Sequence, residues 1–117
     1  MVSHLQDTSA EGKARLPLTG VRVLDLTQLG AGPYCTQLLA FLGAEVVRIE
    51  TAERVRLIRG RLTQPGMLDQ LSIYKLNATL DLSRAEALEL AKGLVMVSDL
   101  VVDNYRPGVL DRMGLGY

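Results

Sequence analysis

The chain has no tryptophan, one phenylalanine, one histidine and one cysteine in 117 residues. Each scarcity closes a route. A single thiol, Cys35, cannot make an internal disulfide, and its place in an apolar helical stripe favours inert packing over reactivity. With His4 as the only histidine, no Cys/His set has metal-ligand spacing and a Ser/His/Asp triad is unsupported, so no metal site is expected. Thirteen basic and thirteen acidic side chains cancel, which removes any general attraction for nucleic acid or an anionic membrane. No apolar run approaches the roughly 20 residues that span a bilayer. Residues 1–15 are polar and of mixed charge, unlike a secretory leader, so a cytoplasmic protein is the expectation.

What is present suits one α/β domain. Hydrophobic residues make up 48% of the chain, enough for a real core in a single domain at residues 16–117 behind a flexible tail at 1–15. Val21, Val23, Leu24 and Leu26 form a nearly continuous β-branched run, the pattern of a central strand covered on both faces. Gly30 and Gly32 then give the backbone freedom to turn sharply, and Pro33 suits the first helical position. Tyr34, Cys35, Leu38, Leu39 and Leu42 predict a helix laying one apolar face on the sheet, ended by Gly43. Val46, Val47 and Ile49 make a second, parallel strand.

Farther on, residues 51–72 lose clean periodicity and read as a long connection. Arg48, Arg54, Arg56, Arg59 and Arg61 outnumber Glu50 and Glu53 there, which is either a solvated face or a cradle for phosphate. A short strand is predicted at 78–82. Ser83 and Glu86 spell a capping box for a helix through Val97, with Leu88, Ala91, Leu94 and Val95 on one side. Leu100, Val101 and Val102 predict another buried strand, followed by a turn at 103–108 and a last short helix containing Leu110 to Met113, started by Pro107. The order describes a Rossmann-like wound parallel sheet with flanking helices. A dinucleotide site is a weak alternative: Gly30-x-Gly32 follows a strand and Glu50 ends the next, but Cys35 stands where the fingerprint needs its third glycine.

Five blocks taken in order resemble the N-terminal part of the class III CoA-transferases. They are Leu16-Pro-Leu-x-Gly-Val-Arg-Val-Leu-Asp-Leu-Thr27, Ala31-Gly-Pro-Tyr-Cys-Thr36, Leu42-Gly-Ala-Glu-Val-Val-Arg-Ile-Glu50, Thr79-Leu-Asp-Leu82, and the run from Asp103-Asn-Tyr-Arg-Pro-Gly to Gly114-Leu-Gly-Tyr117. That family includes formyl-CoA transferase, carnitine CoA-transferase and the 2-methylacyl-CoA racemases. The resemblance implies coenzyme A and acyl-CoA as substrates, with no permanently bound cofactor. It also implies a carboxylic acid acceptor and an interlocked homodimer. In the transferases an aspartate attacks the acyl-CoA and passes through a mixed anhydride to an aspartyl-CoA thioester.

None of the thirteen carboxylates matches that nucleophile, which the resemblance puts past Tyr117; no catalytic residue is therefore assigned, and the chain by itself is expected to be inactive. Coenzyme contact is implied at Gly30, Ala31, Lys75, Asn104 and Arg112. The sequence departs from formyl-CoA transferase at Gly30, where that enzyme has glutamine. It departs again at Thr51, in place of a basic residue, and at Leu76, in place of an arginine. Two classes stay open: the CoA-binding piece or subunit of a transferase or racemase, its site completed by another segment, and a non-catalytic module, either a residual CoA binder or a truncated product with no activity.

Overall fold

The apolar run at residues 21–26 forms an inner strand. A computed structural model describes residues 15–51 and 70–116, and in it this strand, β1 (Arg22–Asp25), lies between β2 (Glu45–Glu50) and β4 (Leu100–Val102), with β3 (Lys75–Thr79) outside β2. All three pairings are parallel: Val23 sits opposite Val46 and Leu100, and Val46 opposite Lys75. Because side chains alternate along a strand, this register sorts the sheet into two faces. One carries Val23, Val46 and Val102 with Ala44; the other carries Leu24, Leu26, Val47 and Ile49.

Helix α1 (Ala31–Phe41) covers the first face, and α2 (Ala85–Met96) covers the second by placing Ala91 against Leu24, Leu26 and Ile49. The last element, α3 (Val109–Arg112), adds Leu110 to the α2 side. The wound parallel sheet expected from sequence is thus observed, with β1 internal as its two-sided apolar run requires.

Several local expectations need correction. Strand β3 begins at Lys75, three residues before the predicted 78–82 segment. Ser83 and Glu86 form no capping box; the Ser83 amide and hydroxyl both donate to Asp81 Oδ1, at 3.1 and 2.6 Å, and Arg84 occupies the cap position without a side-chain bond. A short aspartate turn has captured the serine. Helix α1 starts two residues before Pro33, and its buried stripe is Pro33, Thr36 and Gln37. Tyr34, Cys35, Leu38 and Leu42 point outward, and only Leu39 of the predicted stripe packs against the sheet. The reason is the sheet face beneath, which presents Asp25, Arg48 and Lys75 and so takes the polar side of the helix. Cys35 is exposed, contrary to the packing expected for it. On the outer side Phe41 meets Tyr74 with ring centroids 4.9 Å apart.

Gly43 closes α1 as predicted, at φ +103°. A Cβ there would meet Leu16 Cβ at 2.6 Å as well as forcing a side chain into the left-handed region. Gly43→Ala should lower stability by about 1–2 kcal/mol or more, measured by urea denaturation, since the left-handed backbone disfavours a side chain and Leu16 Cβ yields only if its own backbone shifts.

Candidate functional site

At the carboxyl ends of parallel strands the chain must turn away from the sheet, and these turns form a natural rim for a ligand. Here the turn after β1 is tied to the turn after β4. The Gln28 amide donates to Asn104 Oδ1 and Asn104 Nδ2 donates to the Gln28 carbonyl, both at 2.8 Å. Gln28 Nε2 donates to the Tyr105 hydroxyl at 2.9 Å. One amide side chain therefore satisfies both backbone groups of a loop residue, fixing where the loop leaves the sheet.

The two glycines do different work from that expected. The left-handed residue is Leu29, at φ 68°, whereas Gly30 has φ −102° and nothing within 4 Å of a Cβ placed on it. Gly32 is the steric requirement: a Cβ on it would lie 2.5 Å from Thr27 Cβ and 3.0 Å from Asn104 Cγ. A leucine held at positive φ stores strain that its surroundings must impose. Leu29 is exposed, so its side chain is not what holds it there.

Beneath the loop lies a charge network in which Asp25, Lys75 and Arg48 are buried and Glu50 is partly exposed. Asp25 Oδ1 accepts from the amide and hydroxyl of Thr27, at 2.9 and 2.5 Å. Its Oδ2 accepts from Thr36 Oγ1 at 2.5 Å and from Lys75 Nζ at 3.0 Å. Lys75 Nζ donates also to Thr36 Oγ1 and to the Pro33 carbonyl, each at 2.8 Å. The ammonium has three hydrogens and three acceptors; the carboxylate receives four donors. Arg48 lies alongside, its Nε donating to Glu50 at 2.7 Å and its Nη1 standing 3.9 Å from Asp25 without a hydrogen-bond partner. Two cations and two anions make the cluster neutral overall. Burial holds the Lys75 ammonium below the ordinary lysine value, the pull of Asp25 only partly opposing it.

A second feature of the rim is a hollow of about 650 Å³ lined by Thr51, Asp81, Leu82, Ser83, Leu88, Arg112 and Met113. Thr51 follows β2, the 81–83 turn follows β3, and Arg112 comes from α3, which is set off from β4 by Gly108 at φ +80°. The Ser83 hydrogen bonds hold the Asp81 carboxyl below its usual value, so an anion and the Arg112 cation share this hollow.

Of the residues singled out in the sequence, Gly30, Ala31 and Asn104 come together at the β1 and β4 ends, while Arg112 lines the hollow at the β2 and β3 ends of the same rim. Lys75 does not join them. Its ammonium has no exposed surface and every hydrogen is committed inside the fold. Of the basic run, Arg48 is buried against Glu50, and Arg54, Arg56, Arg59 and Arg61 lie outside the described residues. The residues sequence reasoning missed are Asp25, Thr27 and Thr36. A signal was present: a charged residue inside an apolar strand needs a buried partner, and Arg48 and Lys75 sit at inward positions of the neighbouring strands. Among the described residues no group of His, Cys, Asp and Glu could hold a metal, and no helix is long and apolar enough to cross a membrane.

Residues 18–117 match the family model described as CoA-transferase family III. Formyl-CoA:oxalate CoA-transferase of Rhodopseudomonas palustris strain TIE-1 is 42% identical over 102 residues, covering 83% of this chain and 24% of that protein. The enzyme of the same name from Afipia carboxidovorans is 40% identical over 105 residues, covering 86% of the chain and 25% of the relative. Among solved structures, a CAIB/BAIF family protein from Brucella suis superposes with a TM-score of 0.74 at 31% identity, covering 89% of this chain and 30% of that one. A Mycobacterium tuberculosis protein described as hypothetical gives 0.70 at 34% identity, covering 86% and 28%. The chain thus spans about a quarter of the length of the curated relatives it matches.

Proposed function

The chain belongs to CoA-transferase family III, and from that membership we propose that it supplies the coenzyme-contacting rim of an enzyme moving CoA from an acyl-CoA thioester to a carboxylic acid. The observation that carries the reading is the Asn104 clamp on Gln28, which fixes an open turn at Gly30 and Ala31 on the same rim as the Arg112 hollow. In this proposal the turn lies along the carrier, its small residues letting the ligand approach the backbone. Arg112 meets a phosphate, for which a guanidinium fork is well shaped. Asn104 fixes the turn and presents its exposed edge to the same ligand.

The covalent chemistry is proposed to come from polypeptide outside this chain. Transfer through an aspartyl intermediate needs a carboxylate free to attack the thioester carbonyl, with the C–S bond breaking and CoA leaving as thiolate. Asp25 is the best-placed buried carboxylate here, and its two oxygens already accept four hydrogen bonds. It is unsuited to attack. Glu50 is bound to Arg48 and Asp81 to Ser83.

Calorimetric titration of the chain with coenzyme A tests the rim. Binding is expected at millimolar or lower concentration, and Arg112→Ala is expected to weaken it roughly 5- to 20-fold, the usual worth of one charge-assisted contact, and to reduce its salt dependence. No acyl transfer is expected from the chain alone. Absence of binding, or binding indifferent to Arg112→Ala, would remove the proposal.

A further inference from the structure

The β1–α1 turn buries Gln28 but exposes Leu29 and Ala31, and with no side-chain cap at Gly30 it takes a path strained at Leu29. Something beneath must impose that path. The Asn104 clamp fixes only its first residue, Gln28. Its far end, the first turn of α1, is held from inside: Lys75 Nζ reaches the Pro33 carbonyl and Thr36 Oγ1, and Thr36 in turn donates to Asp25 at the end of β1. Asp25 also binds the amide and hydroxyl of Thr27, where the turn departs. One carboxylate and one ammonium therefore join the two ends of the loop, and no part of either is exposed.

We propose that Lys75 is a positioning residue for coenzyme binding: with Asp25, Thr27, Thr36 and the Pro33 carbonyl it braces the turn at residues 28–31 in its ligand-ready path without touching the ligand. The inference rests on the rim reading above and adds what holds the rim in shape. Lysine suits the task because its long stem reaches from the start of β3, opposite Val46, across β2 to the end of β1, and its three donors meet three acceptors on two different elements.

Two measurements on the purified chain decide the matter. In calorimetry with coenzyme A at several salt concentrations, Lys75→Met should weaken affinity tenfold or more while leaving the salt dependence as in the parent, because no ligand charge contact is lost. Arg112→Ala should flatten that dependence. A Lys75→Met variant that flattens it equally, or binds coenzyme A like the parent, overturns the proposal.

The second measurement is amide hydrogen exchange, which needs no ligand. Leu29, Gly30 and Ala31 should exchange at least tenfold faster in Lys75→Met, an acceleration exceeding that of Val47 and Val101 in the sheet. Unchanged loop exchange, or equal acceleration everywhere, overturns the brace. If the parent chain binds no coenzyme A and the loop still loosens selectively, the brace stands and the coenzyme reading falls. Should Lys75→Met not fold, Thr36→Val, which keeps the Lys75–Asp25 pair, must show the same selective loosening or the brace is refuted.

Discussion

Asp25→Ala should lower stability by about 3–5 kcal/mol, the largest single effect expected for this chain. The substitution removes a carboxylate with no exposed surface and leaves Lys75 wholly buried without its counter-ion, beside an Arg48 whose Nη1 already lacks a partner. Thr27 and Thr36 lose their acceptor at the same time. A domain of this size has only about 5–15 kcal/mol in hand, and one with Leu90, Met96, Val97, Leu100 and Val101 exposed along β4 and α2 belongs near the lower bound. The urea midpoint of Asp25→Ala should therefore fall close to zero denaturant.

The ion pair itself contributes much less than its disruption costs, because burying two charges offsets most of their attraction. Asp25→Asn/Lys75→Met should accordingly be more stable than either single variant, with a coupling energy above about 1 kcal/mol. The same balance sets a pH signature. Burial lowers the Lys75 pKa beneath 10.5 despite Asp25 and Glu50, with Arg48 adding to the lowering. The protonated form is thus penalised in the folded chain, and the penalty is relieved as pH rises through the lowered value toward 10.5. Stability of the parent relative to Lys75→Met should climb over that alkaline window. An Asp25→Ala variant that unfolds at the parent's urea midpoint would show that the cluster is not buried as described.

The fold was legible where burial is two-sided. Residues 21–26 predict a strand covered on both faces, and β1 takes an inner place in the sheet; residues 100–102 also predict a buried strand, but β4 lies at the sheet edge with Leu100 and Val101 exposed. Gly43 was legible too, since a left-handed helix end leaves a specific residue behind. What sequence periodicity could not give is which side of α1 faces inward. Its apolar stripe and its Pro33, Thr36, Gln37 stripe are both helical, and the choice depends on Asp25, Arg48 and Lys75 converging from three strands. Lys75 illustrates the same limit. Alone in sequence, a lysine reads as a surface cation or a phosphate contact; only strand register brings it within 3.0 Å of an aspartate fifty positions earlier. Gly30 and Gly32 look equivalent in the string, yet one faces open space and the other a packed threonine.

That difference yields the second large effect. Gly32→Ala should destabilise the chain by about 3 kcal/mol, the upper end for overpacking, because neither neighbour can yield. The added Cβ would lie 2.5 and 2.9 Å from Thr27 Cβ and Cγ2. Thr27 is fully buried and tied to Asp25 through both its amide and its hydroxyl. On the other side, 3.0 Å away, Asn104 is held by two bonds to Gln28. Relief comes only if the first turn of α1 lifts from the rim, which also draws Pro33 and Thr36 away from Lys75. Coenzyme affinity should consequently drop by tenfold or more, since a shift of about 1 Å in a positioning element is enough for losses of that order. Gly30→Ala is the internal comparison: with φ −102° and open space around its Cβ, it should change stability by less than about 1 kcal/mol. Urea denaturation and coenzyme A calorimetry on the two variants side by side check both halves of the argument, and a Gly32→Ala chain as stable as Gly30→Ala would mean that Thr27 does not pack where the buried network requires it.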